Sequence, residues 1–306
     1  MNLNDRVLRY YTDNFDTLPI DKQFHFATRL DAWQNLPFAH DKLNKMRSYV
    51  FPDQDVKASL ANLLNNPPEG KINAVGLRQS YFSKYPDLRP LMLVLFRVRH
   101  LRDIYDINVI DTLLDLVPEH RLDALASQLL GDSDALCILS TYAINYLYLL
   151  RHILFPSENN MIDIEKLYEV SRATPANTPA EIQLQIYFYT HCIIGESNFY
   201  KWPIRSEHSK IYMEMIADLE KLITNNFEDI NLDNKLEFLV CCRIMGYTPA
   251  LAEEIYQECS QSISKDGVFL VDRLNNLRQS DKTSFADSEH RNVLFIMSHS
   301  AYPQVT

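Results

Sequence analysis

Residues 178–202 read TPAEIQLQIYFYTHCIIGESNFYKW, and the way this stretch opens decides the class of the chain. Thr178 is a good N-cap, and Pro179 suits the first helical position, where its missing N–H costs nothing. Glu181, three residues after Thr178, completes a capping box. A helix is therefore expected to run from here toward Ile194. The same punctuation continues downstream. Helices are expected over 206–224 and over 232–245, the latter closed by Gly246 at C′. Thr248-Pro249 reads as the start of another helix to about residue 263, and a loop over 265–286 leads to a last helix beginning at Asp287 or Ser288.

Upstream, apolar residues recur at three- and four-residue spacing, with prolines between the periodic runs. Helices are expected over 21–35, 38–49, 53–65, 87–101, 108–116, 119–130 and 133–154. Asp87 is the expected cap of its helix, with Pro90 tolerated in the first turn. Helices of this length joined by short turns imply antiparallel hairpins packed side by side. The fold class is all-α, with stacked helical hairpins. We expect one α-helical domain over 1–306, less regular over 1–105 and most clearly repetitive over 178–300. The polar stretch 171–178 is read as a loop within that body. No ankyrin, tetratricopeptide or HEAT signature recurs along the chain.

Bulk properties narrow the function classes. The chain has 306 residues, 46% of them hydrophobic and 23% charged, a composition that opposes long disorder. Only six glycines leave little provision for Gly-rich phosphate loops. A net charge of −10 argues against a nucleic-acid partner, because phosphates need a basic face. The five cysteines, Cys137, Cys192, Cys241, Cys242 and Cys259, contain no CxxC and are expected as reduced thiols in the cytosol. Residues 1–16 lack the apolar core of a signal peptide. The longest apolar run, 135–150, is interrupted by Ser140, Thr141 and Asn145 and reads as a buried core helix, so no membrane span is expected. No P-loop, dinucleotide fingerprint, HExxH, GxSxG or EF-hand pattern is present.

Three places carry candidate chemistry. His191 lies deep in the apolar run after Glu181, and one turn later come Asn198 and Tyr200. Such a histidine is costly unless it bonds a neighbour or faces a polar cavity as acid, base or ligand, and both readings stand. Asp233, Glu237 and Cys241 recur every four residues and share a helix face. Glu237 is either a solvated acid near the helix start or, given apolar Phe238 to Val240 after it, a partly buried carboxyl with a raised pKa. His290 falls in the first turn of the last helix, as a surface residue or a site residue.

Met245-Gly246-Tyr247, Asp266-Gly267-Val268-Phe269 and Glu289-His290 together resemble the closing repeats of the α/α toroid of terpenoid cyclases and protein prenyltransferases. The Thr190-His191 helix is similar to that of uncharacterised bacterial proteins with that fold. The resemblance covers roughly 181–298 and implies a ring of paired helices around a central cavity. By position His290 matches the late-helix zinc ligand of the prenyltransferases. The accompanying Asp-x-Cys motif, the Asp-rich cyclase motifs and the QW repeats are missing, so neither prenyl transfer nor terpene cyclisation is expected. The metal and cofactor are left open.

Two functions follow as expectations. The first is an enzyme with a cavity site formed by His191, Glu237 and His290, with Tyr200 or Asn198 nearby, doing acid–base chemistry on a small molecule, peptide or sugar. The second is a non-catalytic helical scaffold that binds a protein or peptide partner.

Overall fold

A computed structural model describes residues 2–50, 55–68, 75–155, 162–204, 208–272 and 284–302. Among them the chain forms sixteen α-helices and no strand, as the capping and periodicity imply. The expected helix starts at residues 53 and 206, and positions 273–283 of the 265–286 loop, lie outside the described residues. In chain order the first eight helices are α1 (Leu3–Asp13), α2 (Ile20–Gln34), α3 (Pro37–Lys45), α4 (Arg47–Val50), α5 (Val56–Asn65), α6 (Val75–Lys84), α7 (Leu88–Tyr105) and α8 (Ile110–Leu116). The remaining eight are α9 (Glu119–Leu130), α10 (Ser133–Leu154), α11 (Ile164–Ala173), α12 (Pro179–Glu196), α13 (Ser209–Asn225), α14 (Leu232–Ile244), α15 (Ala252–Gln261) and α16 (Glu289–His299). No described helix is long and apolar enough to cross a membrane.

The chain divides into two compact units: residues 1–43 with 199–306, and residues 44–198. In the first unit α16 packs against α1, α2 and α14, and α14 also packs on α13 and α15. Both central helices are buried on nearly every face, so their few polar side chains must be paired inside. Asn292 of α16 shows how. Its Oδ1 accepts the Leu270 N–H at 2.7 Å, and its Nδ2 donates to the Leu270 carbonyl at 2.9 Å. It thereby takes the place of a neighbouring strand beside the short turn at Gly267 (φ 70°), where Ile263 and Leu270 form an isolated antiparallel bridge. α14 stops at Gly246, whose φ of 64° is the left-handed end expected of a C′ glycine.

In the second unit α10 is the hub, touching α6, α7, α9, α11 and α12. Gly195 permits the close approach of α10 to α12: a Cβ there would run into the ring of Tyr148. α10 is kinked at Ser140 (φ 11°, ψ −86°). Beside the kink the Ile138 carbonyl accepts from Nε of Arg78 at 2.9 Å, while another Arg78 nitrogen donates to Ser140 Oγ at 3.0 Å. That pairing accounts for an arginine only 2% exposed.

The capping box at Thr178 is formed, with Glu181 reaching back to the Thr178 N–H at 3.0 Å. Other elements differ from expectation. The helix over 38–49 breaks at Met46 into α3 and α4. Asp87 makes no side-chain cap; its carboxylate accepts from Arg121 at 2.8 Å instead. Thr248-Pro249 lies outside any helix, a turn follows at Ala250-Leu251, and α15 starts only at Ala252. α1, α6 and α11 were not expected: α6 has no regular apolar stripe, whereas α1 buries Val7 and Tyr11, and α11 buries Ile164, Leu167 and Tyr168, from one face, a helical pattern that was present but short. α1 is fixed by Asn2, whose side chain accepts from Asp5 N at 2.8 Å.

Candidate functional site

The first unit gathers its buried ionisable groups around one face of α2. Lys22, His25, Arg29 and Trp33 recur at three- and four-residue spacing and so share that face. α16 brings Glu289 and His290 to it in its first turn, and α14 supplies Asp233 and Glu237, one helical turn apart. His25 Nδ1 lies 2.7 Å from Glu289 Oε1. Lys22 Nζ is 3.9 Å from the other carboxyl oxygen, which has no hydrogen-bond partner. The His290 ring centre is 5.3 Å from that of His25. The Arg29 guanidinium lies 5.6 Å over the Tyr200 ring, which Trp33 meets edge-on at 6.2 Å.

Tyr200 arrives by an unusual backbone. Asn198, Phe199 and Tyr200 have φ of 49°, 54° and 75°, three successive left-handed residues with no glycine among them. Each costs on the order of 1 kcal/mol or more relative to ordinary backbone. The last residue of this costly run is the one whose ring lies under the Arg29 guanidinium.

Burial governs the protonation of this cluster. Glu289 is fully enclosed, and desolvation pushes its carboxyl up to about 8 against the pull of Arg29 and Lys22. Its place at a helix N-terminus favours the ionised form by only ~1 kcal/mol, too little to reverse this. Glu237, 4% exposed, is pushed up to about 7 by burial, with Arg29 opposing and Asp233 reinforcing. Burial holds His290 well below the usual imidazole value, helped by the charge of Arg29 and by His25. His25 moves down for the same reason, aided by Arg29 and Lys22; 30% of its side chain is exposed, so its desolvation is weaker than that of Glu289. Near neutral pH both members of the His25–Glu289 pair are uncharged and joined by one hydrogen bond. Tyr200 is shifted upward by burial and stays a phenol.

A separate ion cluster locks α14 to α16. Arg291, 1% exposed, lies 2.8 Å from Asp233 and 3.7 Å from Asp272. Lys235 Nζ contacts Glu258 at 2.6 Å. Arg291 and Lys235 have carboxylate partners, whereas among the described residues no carboxylate is in ion-pair contact with Arg29; its side chain hydrogen-bonds that of Tyr200, and its Nε, like Nε and Nη1 of Arg291, is buried without a hydrogen bond.

The five residues expected from sequence therefore fall in two groups. Glu237, His290 and Tyr200 belong to the first unit and lie within the field of Arg29. His191 and Asn198 belong to the second. His191 is half-buried, with Nδ1 2.8 Å from Asn145 Oδ1 and its ring edge-on to Tyr187. Asn198 is fully buried; Arg99 donates to its carbonyl at 2.9 Å and to its Oδ1 at 3.3 Å. Among the described residues no three His, Cys, Asp or Glu side chains are placed to hold a metal ion. All five cysteines are free and buried.

The second unit also has a mainly apolar pocket of about 120 Å³, lined by Leu77, Ile138, Leu184 and Phe188 together with Cys137 and Thr174. Cys137 Sγ and Thr174 Oγ1 are 3.1 Å apart, and burial raises the thiol, which is therefore not a nucleophile at neutral pH.

Sequence reasoning missed Lys22, His25, Arg29 and Glu289 as site residues. The signal was present in KxxHxxxR at 22, 25 and 29, three polar residues on one stripe of a helix whose other positions include Phe24, Phe26, Leu30 and Trp33. No family model, curated protein or solved structure matches the chain.

Proposed function

We propose that the His25–Glu289 pair, with His290 and Glu237 beside it, is an acid–base site that moves a proton on a small molecule, peptide or sugar. The observation that carries this reading is the 2.7 Å bond between an imidazole and a fully buried carboxyl, with a second imidazole 5.3 Å away. A neutral imidazole accepts a proton, and a carboxyl that keeps its own proton near neutral pH can donate one. In this scheme His290 takes the proton from the substrate and Glu237 or Glu289 returns one to it. The ring-like arrangement of helical hairpins belongs to the same proposal, supported by the closing-repeat motifs and by the order of neighbours α13, α14 and α15.

A panel of compounds replaces a single chosen substrate in the test. Small carbonyl compounds and sugars are incubated with the protein in D2O, and loss of carbon-bound hydrogen is followed by proton NMR. The acid–base reading expects exchange in at least one compound that falls ~100-fold or more in Glu289→Gln or His290→Ala. Exchange that is absent throughout the panel, or unchanged in both variants, contradicts it.

A second reading, a binding module without catalysis, is favoured by the pocket of the second unit. Its apolar walls suit a small uncharged ligand. Displacement of an uncharged fluorescent naphthylamine by such ligands, abolished in Leu184→Trp, is the expected result; no uptake of the dye would remove this reading.

A further inference from the structure

We propose that Arg29 is the anchor for a small oxyanion, a carboxylate or phosphate group carried by the molecule on which the His25–Glu289 pair acts. The inference rests on the acid–base reading for what is done to that molecule, but the binding itself is separable from it.

Three observations carry the proposal. First, Arg29 is the cation of the cluster without an ion partner. Arg291 is taken by Asp233 and Asp272, Lys235 by Glu258, and Lys22 faces Glu289 at 3.9 Å. Arg29 has no such carboxylate among the described residues, and its Nε is buried without an acceptor. An enclosed donor left unpaired costs about 1–3 kcal/mol, more when charged, so an acceptor supplied by a ligand recovers a real penalty.

Second, the side chain is held in position before any ligand arrives. The planar guanidinium lies over the Tyr200 ring, and Trp33, one turn along α2, braces that ring from the side. The contact with the ring and the hydrogen bond to the Tyr200 side chain restrict the guanidinium before a two-oxygen group arrives, which lowers the ordering cost of binding. The costly left-handed run 198–200 is what delivers Tyr200 there.

Third, the neighbouring acids do not compete. Glu237 and Glu289 sense the charge of Arg29, yet burial pushes both carboxyls up, to about 7 and about 8, so that near neutral pH Glu289 is mostly protonated and Glu237 carries only part of its charge. The other groups facing this region are His25 and His290, both held neutral, Lys22, the exposed Asp21 at the start of α2, and Asp233, whose charge reaches Glu237 and Glu289 but is met by Arg291 at 2.8 Å. An arriving oxyanion therefore meets Arg29 with Lys22 on the same face and little repulsion. The substrate class that follows is a small acid whose reacting carbon or oxygen lies next to its anionic group.

The experiment is calorimetric titration of the full chain with succinate, with inorganic phosphate and with neutral succinamide. Succinate alone binding points to a carboxylate, and phosphate alone to a phosphorylated molecule; either supports the proposal, and succinamide is expected not to bind. Arg29→Gln is expected to weaken the anion at least tenfold, and Arg29→Lys to retain part of the affinity. Glu289→Gln is expected to leave anion binding within about threefold of the parent while removing proton exchange, which separates failure of this inference from failure of the acid–base reading. The wild-type Arg29 Nε–H resonance, assigned by NMR, keeps the test open should Arg29→Gln misfold: it is expected to shift on adding the anion. Absence of anion binding, unchanged affinity in Arg29→Gln, or an unmoved Arg29 resonance overturns the proposal.

Discussion

His25 Nδ1 and Glu289 Oε1, 2.7 Å apart, tie α2 to the first turn of α16 through one hydrogen bond. Because Glu289 is fully enclosed, removing its partner leaves a buried carboxyl without its bond. His25→Leu is expected to cost about 1–3 kcal/mol in urea unfolding, whereas the double change His25→Leu/Glu289→Met recovers much of the loss, because no polar group is then stranded. Additive losses in the double variant would show that the two side chains do not act as a pair.

Glu237 makes stability depend on pH in a direction opposite to most carboxylates. Its folded value, about 7, lies above the ordinary 4.5, so between these values the folded chain keeps a proton that the unfolded chain has released. Stability from this group is therefore fully present below pH 4.5 and is lost as pH rises toward 7. Glu237→Gln should gain on the parent across that window by about 3 kcal/mol. Urea denaturation at a series of pH values checks this; a constant difference from pH 4.5 to 7 would place the Glu237 carboxyl in solvent.

Arg291 joins α14 and α16 from inside, with Asp233 at 2.8 Å. Arg291→Met strands Asp233 and Asp272 and is expected to destabilise by about 3–5 kcal/mol, read as a lowered denaturation midpoint. A near-neutral change would mean that solvent already reaches both carboxylates.

In the second unit Gly195 is required by Tyr148. Gly195→Ala forces a Cβ into the ring, and overpacking of this kind costs about 1–3 kcal/mol or more. Gly195→Ala/Tyr148→Leu should recover part of the melting temperature. A Gly195→Ala variant as stable as the parent would contradict the close approach of α10 and α12.

The sequence showed most of the helices and little of the site, for physical reasons visible in particular residues. Caps and breakers act locally, so Thr178, Glu181, Gly246 and the start of α16 could be read within a few positions. Glu237 and His290 were legible as polar residues in apolar helices, which burial makes costly. His25 and Arg29 were not, because nothing near them in sequence says that α2 packs on α16, more than 260 residues later. Asp87 shows the same limit: its local capping preference yields to a distant Arg121. His191, read as either a bonded or a cavity-facing imidazole, has a hydrogen-bonding neighbour in Asn145, 46 positions upstream.

The central claim is that burial keeps the carboxyls of this cluster protonated where ordinary acids have ionised. Carbon-13 NMR of the glutamate carboxyl carbons, assigned by Glu237→Gln and Glu289→Gln, measures this directly. The account expects midpoints near 7 for Glu237 and near 8 for Glu289. Midpoints near 4.5 for both would show two ionised surface acids and contradict it.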